Sequence, residues 1–112
     1  MFLSGIDIGG TSIKFGIFDE QLNLLQQWSR PTPKEPAEAA ALIAAQLEPY
    51  HVVAIGAGAP GTLNAARETI TADNLAWVDV PLAALLRRAS GLPAVVINDG
   101  HAAMLAEMRS GA

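Results

Sequence analysis

The 112 residues contain no cysteine, which excludes disulfides and thiolate chemistry within the chain and fits an intracellular setting. Charge is also scarce. Asp, Glu, Lys and Arg make up 16% of the residues, against about a quarter in ordinary globular chains. The balance is acidic, with a net charge of -4 and a pI near 4.9, which argues against non-specific binding to nucleic acid or anionic membrane. The N-terminus carries neither a basic segment nor a long apolar run, so no secretion signal or membrane span is expected. Histidine is limited to His51 and His101, with no HxxxH or HExxH spacing, so no zinc site is expected within the chain. Internal repeats and low-complexity segments are lacking too. These absences predict a soluble cytoplasmic protein.

What is abundant is apolar surface, at 51% of residues. Two readings fit that excess on so short a chain. Either a sheet is covered on both faces, or a face made for another domain is exposed. The length allows one domain, residues 1–112, with a core of its own.

The chain is organised around its first hairpin, residues 5–14. An apolar strand runs into Asp7, then Gly9-Gly10, then Thr11, and a second strand leaves directly. Paired glycines allow positive φ and a tight turn whose bare N–H groups, beside a hydroxyl, suit a phosphate. Asp7 is an acid in an apolar run, a placement that calls for pairing, hydration or a cation. The plainer reading is a glycine hairpin with an exposed aspartate.

The remaining pattern predicts strand, strand, strand, helix, strand, helix, strand, helix. Phe2–Ile8 and Ser12–Phe18 read as strands, the second with Ile13, Phe15 and Ile17 on one face. Leu22–Trp28 reads as a weaker third strand, and residues 30–36 as a proline-rich connector that cannot sit inside an element. Pro36 opens a helix that Pro49 ends. Val52–Ala57 is a short β-branched run of the kind that is covered on both faces. A loose stretch follows, with one short strand at Glu68–Thr71. Pro81 starts a helix that Arg87, Arg88 and Gly91 close, Val95–Ile97 forms the last strand, and His101–Met108 a third helix. That order implies an α/β fold, a mixed five-stranded sheet with helices on both faces, and resembles one ribonuclease-H-like domain of the actin and hexokinase architecture.

In such sheets ligands gather where strands end. Three polar tips fall at expected strand ends: Asp7 to Thr11, Gly58 to Thr62, and Asn98-Asp99. Residues 56–61 also match GxGxxG, but Pro60 precedes the third glycine and residues 62–71 show little helical patterning. A dinucleotide fingerprint needs a helix there, so a plain glycine turn is preferred. Asn98 and Asp99 suit helix N-caps, and a cap does not prevent Asp99 from accepting a proton from a substrate hydroxyl. Lys14 reads as a solvated strand residue before a phosphate clamp, Trp77 as a packing anchor, and His101 as a first-turn helix residue near the rim.

Taken together, residues 5–107 resemble the N-terminal half of a sugar kinase of the ROK family (repressor, open reading frame, kinase). GIDIGGTSIKFGIFD is similar to the family's first phosphate motif, GAGAPGTLN to its GxxxPG segment, DNLAW to its asparagine-leucine stretch, and INDGHAAMLAE to its NDxNxAAxxE helix. The resemblance implies that Gly9, Gly10 and Thr11, with Lys14 beside them, contact ATP phosphates and that Asp7 orders Mg²⁺ through water. It implies that Gly61, Asn74, Asn98 and Asp99 hydrogen-bond the sugar, and that Asp99 is the general base. His101 stands where the family usually has asparagine. The family's glutamate-histidine sugar contacts, zinc motif, second phosphate motif and adenosine pocket belong to a C-terminal half beyond Ala112, so structural zinc is expected only there. Little catalysis is expected of the 112 residues alone, and a homo-oligomer is compatible with the apolar excess. The alternatives are a sugar-responsive transcriptional regulator of the same family, or a non-catalytic sugar-binding module. Only six residues precede Asp7, which argues against a DNA-binding domain ahead of it.

Overall fold

The apolar alternation of the first two strands sets the architecture. In the computed structural model, which describes residues 1–97, β1 (Phe2–Ile8) and β2 (Ser12–Phe18) pair antiparallel, with Ile6 opposite Phe15 and Ile8 opposite Ile13. β3 (Leu24–Pro31) adds antiparallel to β2. After α1 (Pro36–Leu47) the chain returns as β4 (Val52–Gly58), parallel to β1. A small excursion follows: β5 (Thr62–Asn64), β6 (Thr69–Ala72) and β7 (Trp77–Val80) form a separate antiparallel sheet in that order. α2 (Leu82–Ser90) then leads to β8 (Ala94–Ile97), parallel to β4. The main sheet therefore has the order β3-β2-β1-β4-β8, mixed and five-stranded as the sequence pattern predicts.

The two described helices pack against each other over one face of this sheet. Ile6, Ile8, Ile13, Phe15, Ile55 and Ala57 project under them and are fully buried. Each such isoleucine or phenylalanine stabilises the fold by about 1.5–3 kcal/mol. Trp28 of the outer strand stacks between Phe15 of β2 and Tyr50 of the turn after α1, at 5.0 and 5.1 Å between centroids, and its Nε1 donates to Gln46 Oε1 at 2.9 Å. The third helix predicted at residues 101–108, and with it the second covered face, lies outside the described residues.

Four expectations need correction. β3 begins at Leu24 and not Leu22, because Asp19 draws the N–H groups of Gln21 and Asn23 into the turn and Leu22 sits at φ 65. β3 also runs through Arg30 to Pro31, inside the segment read as a connector. It is an edge strand, and an edge tolerates a residue with no N–H to donate. α1 stops at Leu47, and Pro49 belongs to a single 3₁₀ turn, Glu48–Tyr50, rather than marking the helix end. The stretch read as loose, with one strand, holds three strands and a 3₁₀ turn at Asp73–Leu75. α2 follows expectation: Gly91 closes it at φ 72, its N–H donating to Arg87 O at 2.8 Å.

Candidate functional site

β1, β4 and β8 run parallel, so Ile8, Gly58 and Ile97 end at one edge of the sheet, where β2 begins. The β1–β2 hairpin turns here, closed by the Gly9 N–H donating to Ser12 O at 2.9 Å. Neither Gly9 nor Gly10 lies at positive φ, contrary to the expected reason for the pair. Close approach to rigid backbone is the reason at Gly9, whereas Gly10 abuts a flexible side chain. A Cβ on Gly9 would stand 2.9 Å from the Ser12 carbonyl oxygen, and one on Gly10 would stand 3.0 Å from Asn74 Nδ2. Gly10 and Thr11 are exposed at the tip.

Asp7 sits partly buried near the carboxyl end of β1, opposite Lys14 on one side and Gly58 on the other. Lys14 is exposed, as a solvated strand residue should be, and shares a sheet face with Asp7. Among the described residues no group of three or more His, Cys, Asp or Glu could hold a metal ion.

Gly61 follows β4 at φ 97, and a side chain there would collide with the Thr71 carbonyl. No helix follows it. β5 starts at Thr62, so residues 56–61 lack the helix a dinucleotide fingerprint requires. Asn74 lies in the 3₁₀ turn after β6, exposed, with its amide against Gly10. Trp77 is the anchor the sequence suggested: it is 2% exposed, and its Nε1 donates to Lys34 O at 2.8 Å. An open cavity of ≈ 760 Å³ borders the Gly10–Asn74 contact, lined by Gly10, Thr32, Lys34, Asn74, Trp77 and Val78 among others.

Asp7, Gly9, Gly10, Thr11 and Lys14 are thus gathered on the β1–β2 hairpin, and Asn74 reaches Gly10 from the turn between β6 and β7. Gly61 lies in the loop leaving the same sheet edge. Asn98, Asp99 and His101 lie outside the described residues. Sequence reasoning missed Thr32, whose Oγ1 donates to Gly9 O at 2.9 Å and whose N–H donates to Thr11 O at 3.0 Å. A hydroxyl residue directly after an edge strand, level with the hairpin tip, was the available signal.

Comparison with known proteins decides the family. The ROK family profile matches residues 3–112. The chain belongs to the ROK family. A glucokinase of Streptomyces coelicolor is 39% identical over 112 residues, covering 96% of this ROK chain and 35% of its own length. An N-acetylmannosamine kinase of Yersinia pestis is 34% identical over 110 residues, covering 94% of the chain and 38% of its own length. Among solved structures, a ROK family glucokinase from Streptomyces griseus, in complex with glucose and AMPPNP, superposes with a TM-score of 0.83 at 36% identity. That match covers 100% of this chain and 38% of the other. The fold is therefore that of the ROK glucokinases, the actin-like ATPase fold. The chain spans little more than a third of the length of the curated relatives it matches. No helix among the described residues is long and apolar enough to cross a membrane.

Proposed function

We propose that this ROK chain forms the phosphate- and sugar-facing lobe of an ATP-dependent kinase of hexoses or N-acetylhexosamines. One observation carries the reading: Asn74, proposed to face the sugar, lies against Gly10, proposed to face the phosphates. Donor and acceptor of a phosphoryl group must meet at such a junction.

Phosphoryl transfer asks little covalent chemistry of a protein. It needs donors around the phosphates, a metal, and a base that orients the nucleophile. The amides of Gly10 and Thr11 and the Thr11 hydroxyl supply donors at the hairpin tip, Gly9 closes the turn and keeps it clear of a side chain, and Lys14 adds a cation on the Asp7 face. Asp7 suits Mg²⁺, which binds through one or two carboxylates plus phosphates and keeps several waters. When bound, the ion neutralises charge on the phosphate oxygens. Gly61, Asn74 and Asn98 hold the sugar hydroxyls. Asp99 accepts the proton of the reacting hydroxyl as its oxygen bonds to the γ-phosphorus, and the bond from that phosphorus to the β–γ bridging oxygen breaks, releasing ADP.

The chain spans little more than a third of its relatives' length, and on this reading full turnover needs a protein of their length, with the 112 residues largely inactive alone. The same reading assigns a cytoplasmic setting and no nucleic-acid partner. Val53, Val95 and Ile97 stay exposed on the described chain, a surface consistent with self-association or with cover by other segments.

The test is ADP release from ATP and Mg²⁺ over a panel of hexoses and N-acetylhexosamines, run on this chain and on the full product of its reading frame. Sugar-dependent release by the longer product, lowered about 10²-fold or more by Asp99→Asn, is the expected result. Sugar binding without ADP release would replace this reading with a non-catalytic or regulatory one.

A further inference from the structure

We propose that Thr32 is a positioning residue for the nucleotide, acting through the backbone of the phosphate hairpin without touching the ligand. This rests on the kinase reading above. The two bonds from Thr32 flank Gly10. Its N–H donates to Thr11 O at 3.0 Å, which extends the β2–β3 ladder one step beyond the Ser12–Pro31 pair. Its Oγ1 donates to Gly9 O at 2.9 Å, a bond only a side chain can supply there.

A trans peptide places its C=O and N–H on opposite sides. Holding the Gly9 carbonyl toward Thr32 therefore turns the Gly10 N–H away from the 32–36 segment. Holding the Thr11 carbonyl does the same for the Ser12 N–H. The Gly9 N–H is already committed to Ser12 O. The hydroxyl of Thr32 thus fixes the direction of the amide that the exposed tip offers to an anion. Glycine at position 10 has no side chain to hold that peptide plane, so the restraint has to come from outside the hairpin.

The opposite end of the same segment is also tied, since Trp77 Nε1 donates to Lys34 O at 2.8 Å. Thr32 is accordingly held on a fixed support between the hairpin and the small sheet, where a hydroxyl can act as a restraint.

The experiment compares wild type, Thr32→Val and Thr32→Ser in the ¹⁵N-labelled chain. It reads the Gly10 amide resonance without ligand, then the affinity for AMPPNP with Mg²⁺ and, separately, for glucose. Valine keeps the shape and the backbone bond and loses only the hydroxyl. Thr32→Val is expected to shift and broaden the Gly10 resonance and to weaken AMPPNP binding about fivefold, with glucose affinity within about twofold of wild type. Thr32→Ser is expected to restore both nucleotide affinity and resonance. Equal nucleotide affinity in wild type and Thr32→Val overturns the proposal alone, as does parallel loss of both ligands, the mark of general destabilisation. A wild-type chain that binds no nucleotide overturns this proposal for the 112 residues, while the kinase reading stands or falls separately on the ADP-release assay.

Discussion

The side-chain amide of Asn74 stands against Gly10, so close that a Cβ on the glycine would lie 3.0 Å from Asn74 Nδ2. Two segments far apart in sequence, the hairpin tip and the 3₁₀ turn of the small sheet, thereby share one wall of the candidate site.

Gly10→Ala probes that contact. Asn74 is exposed and its amide is the far end of a flexible side chain, so the methyl group displaces it at little cost. Stability should change by less than about 1 kcal/mol. Ligand affinity should fall more, by about fivefold or more, because the displaced amide no longer meets the sugar and the tip is bulkier. Thermal unfolding, with titrations of glucose and AMPPNP, separates the two effects.

Gly61→Ala should behave in the opposite way. Here the backbone is at φ 97, and the added Cβ would meet the Thr71 carbonyl and lie 2.9 Å from Ala72 Cα, all rigid backbone. Strain and collision together should cost about 3 kcal/mol or more. Urea denaturation measures it, and a loss under 1 kcal/mol would mean that the loop repacks.

Asp19 offers a pH signature at the β2–β3 turn. Its carboxylate accepts from the Asn23 N–H at 2.9 Å, from Asn23 Nδ2 at 3.0 Å and from the Gln21 N–H at 2.9 Å. The bonds from Asn23, backbone first, hold its pKa below the usual 3.8. A pKa lowered by folding means that the charged form is favoured in the native state. The contribution is therefore complete above the unfolded pKa and is lost as pH falls through the folded one. The stability gap between wild type and Asp19→Asn should be constant from neutral pH down to about pH 5 and should close below pH 3.8. Denaturation curves on both proteins across that range test it.

The main sheet was legible because its strands carry strong patterns. β2 alternates Ile13, Phe15 and Ile17, and β4 and β8 are short β-branched runs flanked by turn residues. The small sheet was mostly illegible. Its strands are three or four residues long, too short for a period to emerge, and Glu68, Ala76 and Asp79 at positive φ interrupt them. Asp79 is held there by tertiary bonds: Arg67 and Thr69 donate to its carboxylate, and its N–H donates to Thr71 Oγ1. No local propensity announces such a network.

At the candidate site, Gly9, Gly10, Gly61 and Asn74 were named from motifs, yet the physical reasons differ. Gly9 serves close approach to backbone and Gly10 abuts a flexible side chain, neither forms a left-handed turn, and among these residues only Gly61 requires positive φ. Thr32 was passed over because its partners lie across the sheet edge, a relationship set by the β2–β3 register and by no pattern in residues 30–36.

One measurement bears most directly on a shared phosphate and sugar edge: amide shifts of the ¹⁵N-labelled chain during titration with AMPPNP and Mg²⁺, and then with glucose. Nucleotide should move Gly9, Gly10 and Thr11, and glucose should move Gly61 and Asn74, with the Gly10 amide responding to both. Shifts that spare these residues and gather in the groove beside Ala44, His51 and Leu92, at the far end of the sheet, would contradict it.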